Sequence, residues 1–161
     1  MGAPEAGDPV VAWLQGFLHA FAWFNHKTNY GYTFTLDVIP KPGSVREAIE
    51  GHFRGELDEL TLAPVEDWPG FVRGLLGRWL FQFSDPSMDH LEDPRESFSL
   101  FHDHFRGMLL DEAMGRLSGV VTPTAVWRVE VRTRGWYECH YGDLAFEEPG
   151  RVVYLHAGFS D

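Results

Sequence analysis

DPRESFSLFHDHFRGMLLDEAMGRL, residues 93–117, holds the longest unbroken helical pattern in the chain, and the residues beyond it switch to another period. Asp93 is a good N-cap and Pro94 a good first helical residue, since the missing proline N–H would go unpaired there anyway. At 100° per residue, Phe98, Phe101, Phe105, Met108 and Leu109 form one apolar stripe. Glu112 and Arg116 interrupt it, four apart in the favourable acid-before-base order, so the contact face is read as rotating onto Leu110, Ala113 and Leu117. Ser118-Gly119 ends the helix. Then Ala125-Val-Trp-Arg-Val-Glu-Val-Arg132 alternates strictly, Trp127, Val129 and Val131 against Arg128, Glu130 and Arg132. A switch from a period of 3.6 to a period of 2 points to an α+β fold: helices first, a sheet after.

Upstream, residues 1–8 read as a loose tail and 9–161 as one domain. Asp8-Pro9 opens a helix over about 9–25 with a broad apolar face. Tyr30 to Val38 alternates, with Tyr30, Tyr32, Phe34, Leu36 and Val38 on one side, and Pro40-Lys-Pro-Gly43 stops that strand. Ser44-Val-Arg-Glu47 is a capping box; the helix it starts carries Val45, Ala48, Ile49, Phe53, Leu57 and Leu60 on its inner stripe, with His52 among them. Asp67-Trp-Pro-Gly70 opens a further helix to about Phe83, and Ser84–Glu92 is a polar loop. Downstream of residue 132, Trp136–Tyr141, Leu144–Glu147 and Arg151–Gly158 are short extended runs. They are separated by Gly142-Asp143 and Pro149-Gly150, as in an antiparallel meander. The expected architecture is about four N-terminal helices and one early strand, packed on one face of a C-terminal antiparallel sheet. The covered face of Tyr30–Val38 favours its joining that sheet.

Composition bounds the function. Apolar residues make up 44% of the 161 positions and aromatic ones 15%, enough for a sizeable core. The single cysteine, Cys139, excludes an internal disulfide and a cysteine zinc knuckle and suits a reducing, cytoplasmic compartment; it reads as a small core residue beside Tyr137 and Tyr141. No basic region precedes an apolar run, and Ala6 breaks the myristoylation pattern begun by Gly2. Val10–Phe24, the most apolar segment, is too short to span a bilayer, so no membrane association is expected. The formal charge of −11 repels phosphate backbones, which argues against nucleic acid, and steers a basic protein partner inward.

Candidate chemistry centres on histidines. His102-Asp103 resembles the signature dipeptide of the HD phosphohydrolases, whose pattern is a lone His, then His-Asp, then a distant Asp. That resemblance implies a divalent metal held by His102, Asp103 and Asp111, with His90, or else His52, as the lone histidine, and with His102 and Asp103 serving the hydrolysis. One feature opposes it: that family is essentially all-helical, whereas this chain turns to strands in its C-terminal part. Separately, His102 and His104, two apart on a helix, point about 200° apart and cannot bind one metal as a helical pair. Nucleophilic catalysis finds no Gly-x-Ser-x-Gly elbow, and phosphate binding finds no glycine-rich loop followed by lysine; Lys27 and Lys41 are the only lysines. No cofactor is expected.

What remains is surface character. Alternation offers a polar, aromatic-spiked sheet face from Trp136, Glu138, His140, Tyr154 and His156, with Asp143 in the adjoining acidic run. Rings supply contact area and carboxylates select a basic partner. Trp13-Leu14-Gln15, Tyr30-Gly31 and Thr35-Leu36-Asp37 are similar to one group of the small acidic immunity proteins that neutralise bacterial toxins, which implies a non-enzymatic, cytosolic, partner-binding role. The leading expectation is therefore a bacterial-type acidic protein that binds a basic protein, as a toxin-neutralising or regulatory factor. A metal-dependent hydrolase is the alternative, and a subunit whose aromatic faces form a homo-oligomer is a third reading.

Overall fold

In the computed structural model, residues 8–26, 30–82 and 103–160 are described, with 103 and 104 described as backbone only. Helix α1 (Pro9–Asn25) is followed by β1 (Gly31–Pro40), α2 (Val45–His52), β2 (Leu57–Pro64), α3 (Trp68–Trp79), α4 (Asp103–Val120), β3 (Ala125–Thr133), β4 (His140–Glu148) and β5 (Arg151–Ser160). The strands form one five-stranded sheet in the order β1-β5-β4-β3-β2, antiparallel throughout. The early strand does join the C-terminal meander, beside β5.

The helix starts obey their capping chemistry. Asp8 accepts the Val10 amide at 2.7 Å with Pro9 in the first turn, and Asp67 accepts the Gly70 amide at 3.1 Å. The Ser44/Glu47 capping box is fully formed, each side chain bonding the other's backbone amide. Asn25, wholly buried at the end of α1, donates to the carbonyls of Trp79 and Leu80 and fixes where α3 stops.

Both faces of the sheet are covered. Val11, Leu14, Leu18 and Phe21 of α1, Val72 and Leu76 of α3, and Leu110, Leu117 and Val120 of α4 pack with Phe34, Leu36, Leu144, Phe146, Val153 and Leu155. On the opposite face Val45, Ala48 and Ile49 of α2 pack on Ile39, Leu60, Val129, Ala145, Val152 and Tyr154. The expectation of helices on one face is thus corrected: among the described residues, α2 lies on the other face by itself. It also ends sooner than its stripe suggested. After His52 the chain turns through Arg54 and Gly55, both at positive φ, and Leu57 and Leu60 lie in β2.

Residues 93–102, with Phe98, Phe101 and His102, lie outside the described residues. Within α4, Phe105 and Met108 are 40% and 52% exposed, whereas Leu110, Ala113, Leu117 and Val120 are buried. The contact face does rotate as the charged pair required. Arg116 accompanies the rotation: it bonds Glu112 at 2.6 Å and lays its guanidinium 4.1 Å from the centre of the Trp13 ring on α1.

Gly142-Asp143, read as a turn, is the interior of β4. Leu75 of α3 sits on Gly142, and a Cβ at that position would displace the end of the Leu75 side chain. The outer strands each give a carbonyl to a helix side chain, Leu36 to Gln15 at 2.8 Å and Leu60 to Arg46 at 3.1 Å.

Candidate functional site

On the α2 face of the sheet, alternation along β5 points Tyr154 and His156 the same way, and antiparallel register sets Asp143 of β4 opposite His156. The ladder between β3 and β4 runs only as far as Val129↔Asp143. Beyond it the Tyr141 hydroxyl takes over, donating to the Val131 carbonyl and accepting the Val131 amide. The connection from β3 to β4 is irregular. Arg134 is tied back through its amide to the Glu56 carbonyl and through its guanidinium to Asp58, and the chain then delivers Tyr137 and Glu138 to the cluster.

Asp143, 1% exposed, is the hub. Its Oδ2 accepts the Tyr154 hydroxyl at 2.7 Å and the Tyr137 hydroxyl at 2.8 Å, and its Oδ1 accepts His156 Nδ1 at 2.6 Å. On the far side of the imidazole, Nε2 faces Glu138 Oε1 at 3.7 Å, and the other Glu138 oxygen is buried without a hydrogen bond. Gly158 leaves the room for this arrangement, since a Cβ there would crowd both Glu138 and the His156 ring at about 3.0 Å. From α2 and its end, His52 and Phe53 lean their rings on Tyr154, and Phe53 also on Tyr137.

The electrostatics come from the geometry. Burial on its own would depress the His156 pKa, but hydrogen bonding to Asp143 and Glu138 outweighs it, and the imidazolium is held up to about 9. Tyr137 and Tyr154 are pushed far above the ordinary phenol range, first by burial and then by the Asp143 charge, so both remain hydroxyl donors. Three donors converging on the enclosed Asp143 carboxylate, with the imidazolium between it and Glu138, make a network that pins an irregular connection to the sheet.

Tyr154, His156 and Glu138, expected on an exposed sheet face, and Asp143, expected in the adjoining acidic run, are therefore brought together, but inside the protein. Pairing across the sheet put them under α2 and the 134–139 connection, and the solvated reading is corrected on that ground. His140 sits on the opposite face, its ring 5.1 Å from Phe159, and Trp136 stands apart at 69% exposure. Cys139 is exposed rather than a core residue. Tyr137 was not among the expected site residues; its signal was concealed because Trp136–Tyr141 reads as a strand, whereas the strand begins only at His140.

Of the residues expected to hold a metal, His90 and His102 lie outside the described residues, as does the Asp103 side chain. Asp111 is bonded by Arg73 of α3 at 2.6 Å. Among the described residues no three His, Cys, Asp or Glu side chains gather as a metal site, and no helix is long and apolar enough to cross a membrane. Neither the family models, nor the curated proteins, nor the solved structures contain a match to the chain.

Proposed function

We propose that the protein is a non-catalytic acidic binding protein that captures a basic protein partner, with Trp136 as its anchor. The observation that carries this reading is the placing of Trp136: 69% exposed, on a connection held from both sides. Arg134 ties it to β2, and Tyr137 and Glu138 tie it to the buried Asp143–His156 pair. An exposed tryptophan on a preorganised loop loses little entropy on binding, which is the property of an interface hot spot. The groups most able to do acid–base chemistry, Asp143 and His156, are buried and bonded to each other, which supports binding over catalysis. The charge of −11 supports a basic partner, reached through long-range attraction.

The partner is of the toxin or regulated-protein kind, and mass spectrometry after capture on immobilised protein would identify it. A stoichiometric basic protein should be retained, with affinity falling as salt rises. Trp136→Ala should weaken capture at least about tenfold while leaving the melting temperature in place. Recovery of no stoichiometric partner at low salt, or an unchanged affinity in Trp136→Ala, would overturn the proposal.

A further inference from the structure

On the face opposite the buried cluster, the end of α3 meets β1, β4 and β5 in a groove of about 360 Å3 lined by Tyr32, Arg78, Trp79, Gln82, His140 and Phe159. Its floor is the Phe159 ring, around which His140, Trp79 and Tyr32 are arranged with ring centres 5.1, 5.5 and 5.7 Å away. These rings are inclined rather than parallel to Phe159, so they form walls and leave π-faces available. Among the described residues, the Tyr32 hydroxyl, the Arg78 guanidinium and the His140 ring nitrogens have no hydrogen-bond or ion-pair partner. A neighbouring groove shares Arg78 and Trp79 and also contains Arg128 and Arg132, but those two guanidiniums are engaged by Glu130 and Glu59. Among the described residues lining the two grooves, Arg78, at the aromatic end, is the guanidinium left without an ion pair.

An apolar, ring-walled hollow with a few converging, unsatisfied polar groups is the general form of a small-molecule site. Its size suits one or two fused rings and not a folded peptide. Its charge selects an anion in a molecule that otherwise repels anions, and a guanidinium presents a fork that matches a carboxylate. We propose that this groove binds a small planar aromatic carboxylate, the ring packed between Trp79, His140 and Phe159 and the carboxylate on Arg78. The site is independent of Trp136 and of any protein partner.

The test is a titration of 15N-labelled full-length protein with indole-3-acetate, compared with indole-3-acetamide and with acetate. Saturable shifts should appear at Trp79, Gln82 and His140 with indole-3-acetate, with a dissociation constant of about a millimolar or tighter. Arg78→Gln should weaken the acid about tenfold and leave the amide unchanged, and acetate should not saturate. Arg78 is exposed on the last turn of α3, so the variant should melt with wild type; if it does not, the comparison of acid with amide on the wild-type protein decides alone. Equal affinity for acid and amide, shifts that map elsewhere, or no saturation at millimolar concentration would each overturn the proposal.

Discussion

His156, bonded to Asp143 through Nδ1 and facing Glu138 through Nε2, keeps its proton in the folded protein to about pH 9, against an ordinary histidine value of 6.5. The raised value fixes the sign of a pH effect. Below about 6.5 both folded and unfolded chains hold the proton and the full contribution is present. As pH climbs through 9 the folded state loses it too, and the contribution drains away. The gap corresponds to on the order of 3 kcal/mol. Thermal melts between pH 6 and 10 should show wild type weakening across that window, and His156→Gln should begin less stable and lack the slope. Tyr137 and Tyr154 also favour their protonated forms, so they add a loss only where an unfolded tyrosine would ionise, above about pH 10. Removing the hub is harsher. Asp143→Ala strands two buried hydroxyls and a buried imidazolium and should cost about 3–5 kcal/mol in urea unfolding. Little of this network was legible in the sequence. Alternation does put Tyr154 and His156 on one face, but Gly142-Asp143 carries strong turn chemistry, and turn chemistry yielded here to Leu75 packing on Gly142 and to the donors waiting for Asp143.

Helix α4 separates two kinds of apolar residue that its sequence sets side by side. Leu117 is 2% exposed and Phe105 is 40% exposed. Leu117→Ala should therefore cost about 2–5 kcal/mol, and Phe105→Ala well under half as much, by denaturant midpoints. A view of Phe105 as the spine of the fold predicts the reverse. The rotation itself was readable, because Glu112 and Arg116 could not continue a buried stripe. The end of α2 was not. Phe53, Leu57 and Leu60 satisfy a helical spacing, and only Gly55 signalled the turn that makes Leu57–Pro64 a strand. Period is ambiguous over so few residues, and pairing with β3 decided the matter. At the start of that same helix the capping box was unambiguous. Ser44→Ala should lower stability by about 1 kcal/mol in the same assay.

For the molecule as a whole, the change of period after Gly119 was sufficient to identify an α+β protein with an antiparallel sheet, and the covered face of Tyr30–Val38 its membership of that sheet. The placing of α2 was not readable, since a helix joining the two outermost strands can cross either face and local pattern is the same for both. The two outermost strands carry a further consequence. Val131 turns its amide and carbonyl toward Tyr141, so Leu60 opposite it turns its own outward, where Arg46 meets the carbonyl; Gln15 does the same for Leu36 at the other margin. An unoccupied strand margin is a template on which another chain can lay itself down, and repeated addition of that kind grows a fibril. Gln15 and Arg46 each occupy one outward carbonyl that such an added chain would need. The Gln15→Ala, Arg46→Ala double variant should melt near wild type yet nucleate thioflavin-positive fibrils sooner on agitation, a difference in colloidal lifetime that no measure of folding would reveal.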